Sequence, residues 1–176
     1  MKTIGLLGGM SYESTLTYYR VINEAVSEAL GGLHSARCLI SSIDFAELEP
    51  LQSAGRWDEA AELLLREALR LERAGADFLC LCSNTAHIAA PRIASAAGIP
   101  LLHIGEAAAG ALLAANVRKA GLLGTKYTLS GSFLTGVLRR RGIEPLLPGE
   151  GEAEALNDII FGELCRGEVL PESREK

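Results

Sequence analysis

Short apolar runs alternate with helical segments along the whole chain. This alternation restricts the possible folds more than any other feature. Thr3–Gly9 (TIGLLGG) reads as a buried parallel strand, and Ser11–Leu30 follows with helical spacing that stops at Gly31-Gly32. Ala36–Phe45 alternates as a strand. Trp57–Ala74 is the clearest helix, with Leu64, Leu65, Ala68, Leu69 and Leu71 inward and Glu62, Arg66, Glu67, Arg70 and Arg73 outward. Phe78–Cys82 is another buried strand, and Thr85–Ala97 a helix broken or kinked at Pro91. A strand at Leu101–Ile104, an Ala-rich helix at Glu106–Asn116 and a strand at Lys119–Gly124 come next. The pattern closes with a helix over Thr128–Arg141, a strand over Glu144–Leu147 and a helix over Glu152–Cys165. Strands separated by helices of this length predict an α/β fold, a parallel sheet with crossover helices.

In such sheets ligands bind beyond the carboxyl ends of the strands. The residues to inspect are therefore Gly8-Gly9-Met10-Ser11, Cys82-Ser83-Asn84-Thr85 and Gly124-Thr125-Lys126-Tyr127-Thr128. Cys82 ends its strand and precedes a helix start. Backbone N–H groups there are expected to lower its pKa and favour a thiolate. It reads either as a nucleophile or base, or as a small buried hydrophobe. Asn84 and Thr85 suit helix capping, carboxylate binding, or both. Thr125 and Thr128 have the same two readings. His87, one turn into the helix, is a partner for Cys82 or a spectator. Gln52 and Arg56 fall in a polar stretch that suits a substrate loop or plain surface. Cys80, Cys38 and Cys165 read as packing residues, and His34 and His103 show no partner. The glycines Gly8-Gly9 do not make G-x-G-x-x-G, which argues against a dinucleotide site.

Composition excludes several classes. Among 176 residues, 48% are hydrophobic and 22% charged, which suits a folded domain rather than a disordered one. Lys+Arg is 17 against Asp+Glu 22, a net charge of −5, so no basic footprint for nucleic acid exists. Arg139-Arg140-Arg141 reads as the end of a solvated helix. No apolar run approaches the ~20 residues of a membrane span, and the opening Met1-Lys2-Thr3-Ile4-Gly5 reads straight into a strand, so a signal peptide is not expected. Four scattered cysteines make neither a disulfide scaffold nor a zinc site. A cytoplasmic, reduced protein is expected.

Gly5-Leu6-Leu7-Gly8 matches Gly121-Leu122-Leu123-Gly124, and each copy opens a strand–loop–helix series. This points to two similar α/β domains, residues 1–116 and an incomplete second one, 117–176. A counterpart of Cys82 would fall beyond the last residue. Pro171-Glu172 reads as a helix start rather than a natural ending.

Four stretches together carry a family resemblance. They are Met1–Ser11, Gly31-Gly32-Leu33-His34-Ser35, Leu81-Cys82-Ser83-Asn84-Thr85-Ala86-His87, and Gly121–Thr125 with Thr128. The chain resembles the aspartate/glutamate racemases that work without pyridoxal phosphate or any other cofactor. The resemblance implies two facing α/β domains and an amino-acid substrate. It implies Cys82 as a catalytic cysteine, and Asn84 and Thr85 as substrate-carboxylate binders. Met10 and Gln52 would line the pocket, and Thr125 would be the second domain's anion binder. The implied mechanism uses two opposed cysteines. The family's Gly-Cys-Thr-Glu stretch is absent from these 176 residues, and Cys165 has the wrong context to replace it. The alternative is an impaired relative that binds a dicarboxylate or serves oligomerisation. A homodimer is expected from the general tendency of such enzymes.

Overall fold

The computed structural model describes residues 1–175 and divides into two compact units, Met1–Leu102 and a second beginning at His103. In the first, β1 (Thr3–Gly8), β2 (Arg37–Ser42), β3 (Phe78–Leu81) and β4 (Leu101–Leu102) form one parallel sheet in the order β2-β1-β3-β4. Helix α1 (Tyr12–Leu30) links β1 to β2, and α2 (Phe45–Ser53) and α3 (Trp57–Arg73) link β2 to β3. The first connection steps one way along the sheet and the second steps back. Right-handed crossovers therefore place α1 and α3 on opposite faces.

The α3 face is the main core. Leu7, Leu79 and Leu81 from the sheet pack with Ala60, Leu64, Ala68 and Leu71 of α3. Leu64 is fully buried, as its position on the predicted inner stripe requires. The α1 face is less completely covered: Leu6 and Cys82 are fully buried, yet Thr15 is the buried residue of α1. After β3 the chain makes a 3-10 turn, Thr85–Ala89, and then α4, Ala90–Ala96. Pro91 sits in the first turn of α4, where its missing N–H costs nothing. The break expected at Pro91 falls between Ala89 and Ala90, so the segment is a 3-10 turn followed by a short helix.

Sequence reading missed α2. Its signal was Asp44 with Glu47 three residues on. Asp44 Oδ1 accepts the Ala46 N–H at 3.0 Å as an N-cap. Pro50 stands inside this helix.

The second unit holds α5 (Ile104–Ala114), β5 (Lys119–Gly121), α6 (Lys126–Ser130), α7 (Ser132–Arg140), β6 (Glu144–Leu146) and α8 (Glu150–Gly162). A short turn at Leu164–Arg166 and α9 (Pro171–Arg174) follow, the latter starting at the proline as expected. Strands β5 and β6 pair in parallel. The single helix expected over 128–141 is broken at Gly131, which is extended (ψ 148°) between α6 and α7. Ala109 of α5 packs on Leu138 and Ile143, so α5 lies in this unit. The compact units therefore part fourteen residues before the boundary drawn from the repeat. Arg139 and Arg140 stand in the last turn of α7, as the charge pattern implied.

Candidate functional site

Strand register brings three loops to one end of the first unit's sheet. Leu7 pairs with Leu81, and Gly8 with Ser42, so Gly9–Ser11, Ile43–Asp44 and Cys82–Asn84 emerge side by side. The ladder runs one step past the strands: Ile43 N–H donates to the Gly8 carbonyl at 3.1 Å, and Cys82 N–H to the Leu7 carbonyl at 2.9 Å. Gly9 has φ +86°, and a Cβ there would overlap the backbone of Ile43. A side chain at this position would push the first two loops apart. A Cβ on Gly8 would likewise overlap Thr15.

Cys82 is fully buried beside this junction. Burial pushes its thiol up to about 12, with Cys80 and Cys38 adding to the shift. Sequence reading expected the opposite, a thiolate favoured by a helix start. The correction has a physical reason: the helix that follows is a five-residue 3-10 turn, and desolvation of a fully buried sulfur outweighs it. At neutral pH the thiol keeps its proton. Cys80, half-buried, is pushed up to about 11 by burial and then by Cys38. Tyr18 of α1 is pushed up to about 12 by burial, then by Cys82 and Cys80.

The remaining sequence candidates separate. Asn84 is half-buried and makes no side-chain cap bond, so capping does not explain it. Thr85 is buried one residue further on. Gln52 is buried at 4% exposure on the same side of α2 as Leu48, an uncommon place for an amide. Met10, at 6%, belongs to the apolar core. Arg56 is surface, paired with Glu59. His87 is fully buried, and its Nδ1 lies 2.9 Å from the Ser83 carbonyl. A carbonyl only accepts, so Nδ1 carries the proton in that bond. His87 thus holds the turn behind Cys82.

Thr125 lies in the second unit. Its hydroxyl accepts the Thr128 N–H at 3.3 Å and lies 3.3 Å from the Thr128 hydroxyl, so it caps α6. His103 caps α5, its Nδ1 accepting the Gly105 N–H at 3.1 Å, and burial lowers its pKa. Sequence reading gave it no partner. Cys165 is half-buried in the Leu164–Arg166 turn. Among the described residues no helix is long and apolar enough to cross a membrane.

A family profile described as Asp/Glu/Hydantoin racemase matches residues 7–176. The broad specificity amino-acid racemase RacX of Bacillus subtilis is 28% identical over 162 residues, 89% of this chain and 69% of that protein. A Yersinia pestis structure assigned as an Asp/Glu racemase superposes with TM-score 0.88 at 47% identity, covering 99% of this chain and 76% of that one. An aspartate racemase homologue from Pyrococcus horikoshii superposes with TM-score 0.80 at 36% identity, covering 96% and 74%.

Proposed function

This chain belongs to the Asp/Glu/hydantoin racemase family, and we propose that it acts in cofactor-independent racemisation of an acidic amino acid, aspartate or glutamate. One observation carries the reading. A fully buried cysteine, Cys82, stands at the carboxyl end of a central parallel strand, beside a glycine loop and followed by Asn84 and Thr85. That is where such sheets bind ligands. The aspartate racemase homologue and the broad specificity racemase among the relatives support an amino-acid substrate.

Racemisation removes the α-proton on one face and returns one on the other. Cys82 is one of the two acid/base groups. Its thiolate removes the α-proton on its face and becomes the thiol, which returns a proton or deuteron to the same face; burial makes the thiol the resting form, so the thiolate is the less populated, more basic partner. Asn84 and Thr85 hold the substrate carboxylate, where the developing carbanion's charge is drawn. Met10 and Gln52 shape the pocket wall, and Thr125 meets a second anionic group. The opposed acid/base group is not assigned to any of these 176 residues. The protein works as a cytoplasmic homodimer.

The test is α-proton exchange. The chain is incubated with L- and D-forms of aspartate and glutamate in D₂O, and loss of the α-proton signal is followed by NMR. Exchange that disappears in Cys82→Ala is expected. No exchange by the unaltered chain overturns the reading in favour of the alternative, a dicarboxylate-binding relative. That alternative draws on the raised Cys82 thiol.

A further inference from the structure

Two adjacent hydroxyls on the first turns of α1 reach into the loops around Cys82. Ser14 Oγ donates to the Cys82 carbonyl at 2.6 Å, across 68 positions of chain. The Ser11 carbonyl is its second acceptor, at 3.1 Å. Thr15 Oγ1 accepts the Gly9 N–H at 3.0 Å, and it faces the Ser11 carbonyl at 3.4 Å. A hydroxyl at a helix start ordinarily serves its own helix. Here the shorter contact of Ser14 goes to the end of β3 instead.

The consequence falls on the thiol. Cys82 N–H is already tied to the Leu7 carbonyl at 2.9 Å. With the carbonyl tied to Ser14, both peptide groups flanking the Cys82 Cα are held. Rotation about Cα–Cβ is the main freedom left to the sulfur. Proton transfer to carbon needs reacting atoms ~3–3.5 Å apart and aligned, and an error of about 1 Å costs on the order of 100-fold.

We infer that Ser14 is a positioning residue for Cys82: its hydroxyl clamps the Cys82 carbonyl to α1 and so sets where the thiol stands, while Thr15 sets the Gly9 loop against the same turn. The inference rests on the reading of Cys82 as an acid/base group. It adds a residue that neither motif nor spacing marked.

Ser14→Ala and Ser14→Thr variants of the whole chain test it with two readouts. The first is kcat and KM for α-deuteration of aspartate and glutamate. The second is the alkylation rate of Cys82 by iodoacetamide in the folded protein, located by peptide mass spectrometry and referenced to Cys80. Ser14→Ala is expected to lower kcat roughly tenfold or more with KM changed less than about threefold, and Ser14→Thr, which keeps the hydroxyl, to restore most of it. Alkylation of Cys82 is expected to accelerate roughly fivefold in Ser14→Ala and to return in Ser14→Thr, because the freed loop opens more often. An active unaltered chain whose kcat survives Ser14→Ala overturns the inference and leaves the role of Cys82 standing. An inactive unaltered chain overturns the proposed function instead. The alkylation rates then decide the clamp by themselves: acceleration reversed by threonine supports it, and equal rates in both variants overturn it.

Discussion

The tetrapeptide Gly-Leu-Leu-Gly occurs at 5–8 and again at 121–124, and the two copies meet different fates. In the first unit Leu6 and Leu7 are completely buried, because β1 is paired with β2 on one side and β3 on the other and covered on both faces. In the second unit β5 pairs with β6 among the described residues. The strand ends at Gly121, and Leu123 is 69% exposed. Leu122 keeps one ladder bond, its N–H donating to the Leu146 carbonyl at 2.9 Å. What the copies share is local. The glycine that follows each pair of leucines lies against a threonine of the next helix: Gly8 against Thr15, Gly124 against Thr128 at 2.9 Å from the position of a Cβ. A local pattern repeats faithfully, whereas burial depends on how many neighbours the strand finds.

The sharpest way to break this comparison is to truncate equivalent leucines. Leu7→Ala should destabilise the first unit by about 2–5 kcal/mol, and Leu123→Ala by less than about 0.5 kcal/mol. Denaturant melts that show equal losses would mean that the second copy is buried as well as the first. Next in size are the glycines. Gly9→Ala sets a Cβ against the Ile43 backbone at positive φ, and about 1–3 kcal/mol should be lost. Gly121→Ala, with nothing within 4 Å, should cost far less. Thermal melting of the two variants side by side reads the difference.

Smaller effects come from the caps. Asp44→Ala removes the N-cap of α2, and His103→Ala that of α5. Each should cost about 1 kcal/mol. Hydrogen exchange should place the first loss in the α2 region and the second in α5. The smallest effect at neutral pH is the titration of the buried thiols. Burial raises Cys82, Cys80, Cys38 and Tyr18. The folded form therefore holds these protons more tightly than the unfolded one. The stability they contribute is complete below about pH 9, where the unfolded thiol begins to titrate, and is lost as pH rises toward 12. Melting temperature should fall across that range, and Cys82→Ala should blunt the fall. A flat profile would mean that the thiols are better solvated than their burial indicates.

Much of the first unit was legible. The strand at 78–82, the break near Pro91 and most of the α3 stripe follow from periodicity and steric rules; Leu64, Ala68 and Leu71 are buried as expected, whereas Leu65 and Leu69 are half-buried and the buried Leu63 was not on the stripe. The place of Cys82 followed from strand-end logic, but its ionisation did not. A sequence shows that a helix starts after Cys82; the length of that helix and the burial of the sulfur decide the sign of the shift. Helix α2 was missed because the stretch after Phe45 was read as a polar loop or surface, without weighing Asp44 as a cap. Gln52 was seen as a pocket residue by resemblance, while its burial came only from packing beside Leu48. The bond from Ser14 to Cys82 had no local signal at all, since its partners are 68 residues apart.

The sequence by itself determined the alternation of strands and helices, the parallel sheet that alternation demands, and the family the motifs belong to. These are short-range properties: hydrophobic period, turn chemistry, and residue types at fixed spacing. Only the tertiary structure decided that Cys82 holds its proton, that Ser14 and Thr15 bind the loops around it, and that α5 packs with the second unit. Those outcomes depend on desolvation and on hydrogen bonds between distant segments, and both exist only once the chain has closed on itself.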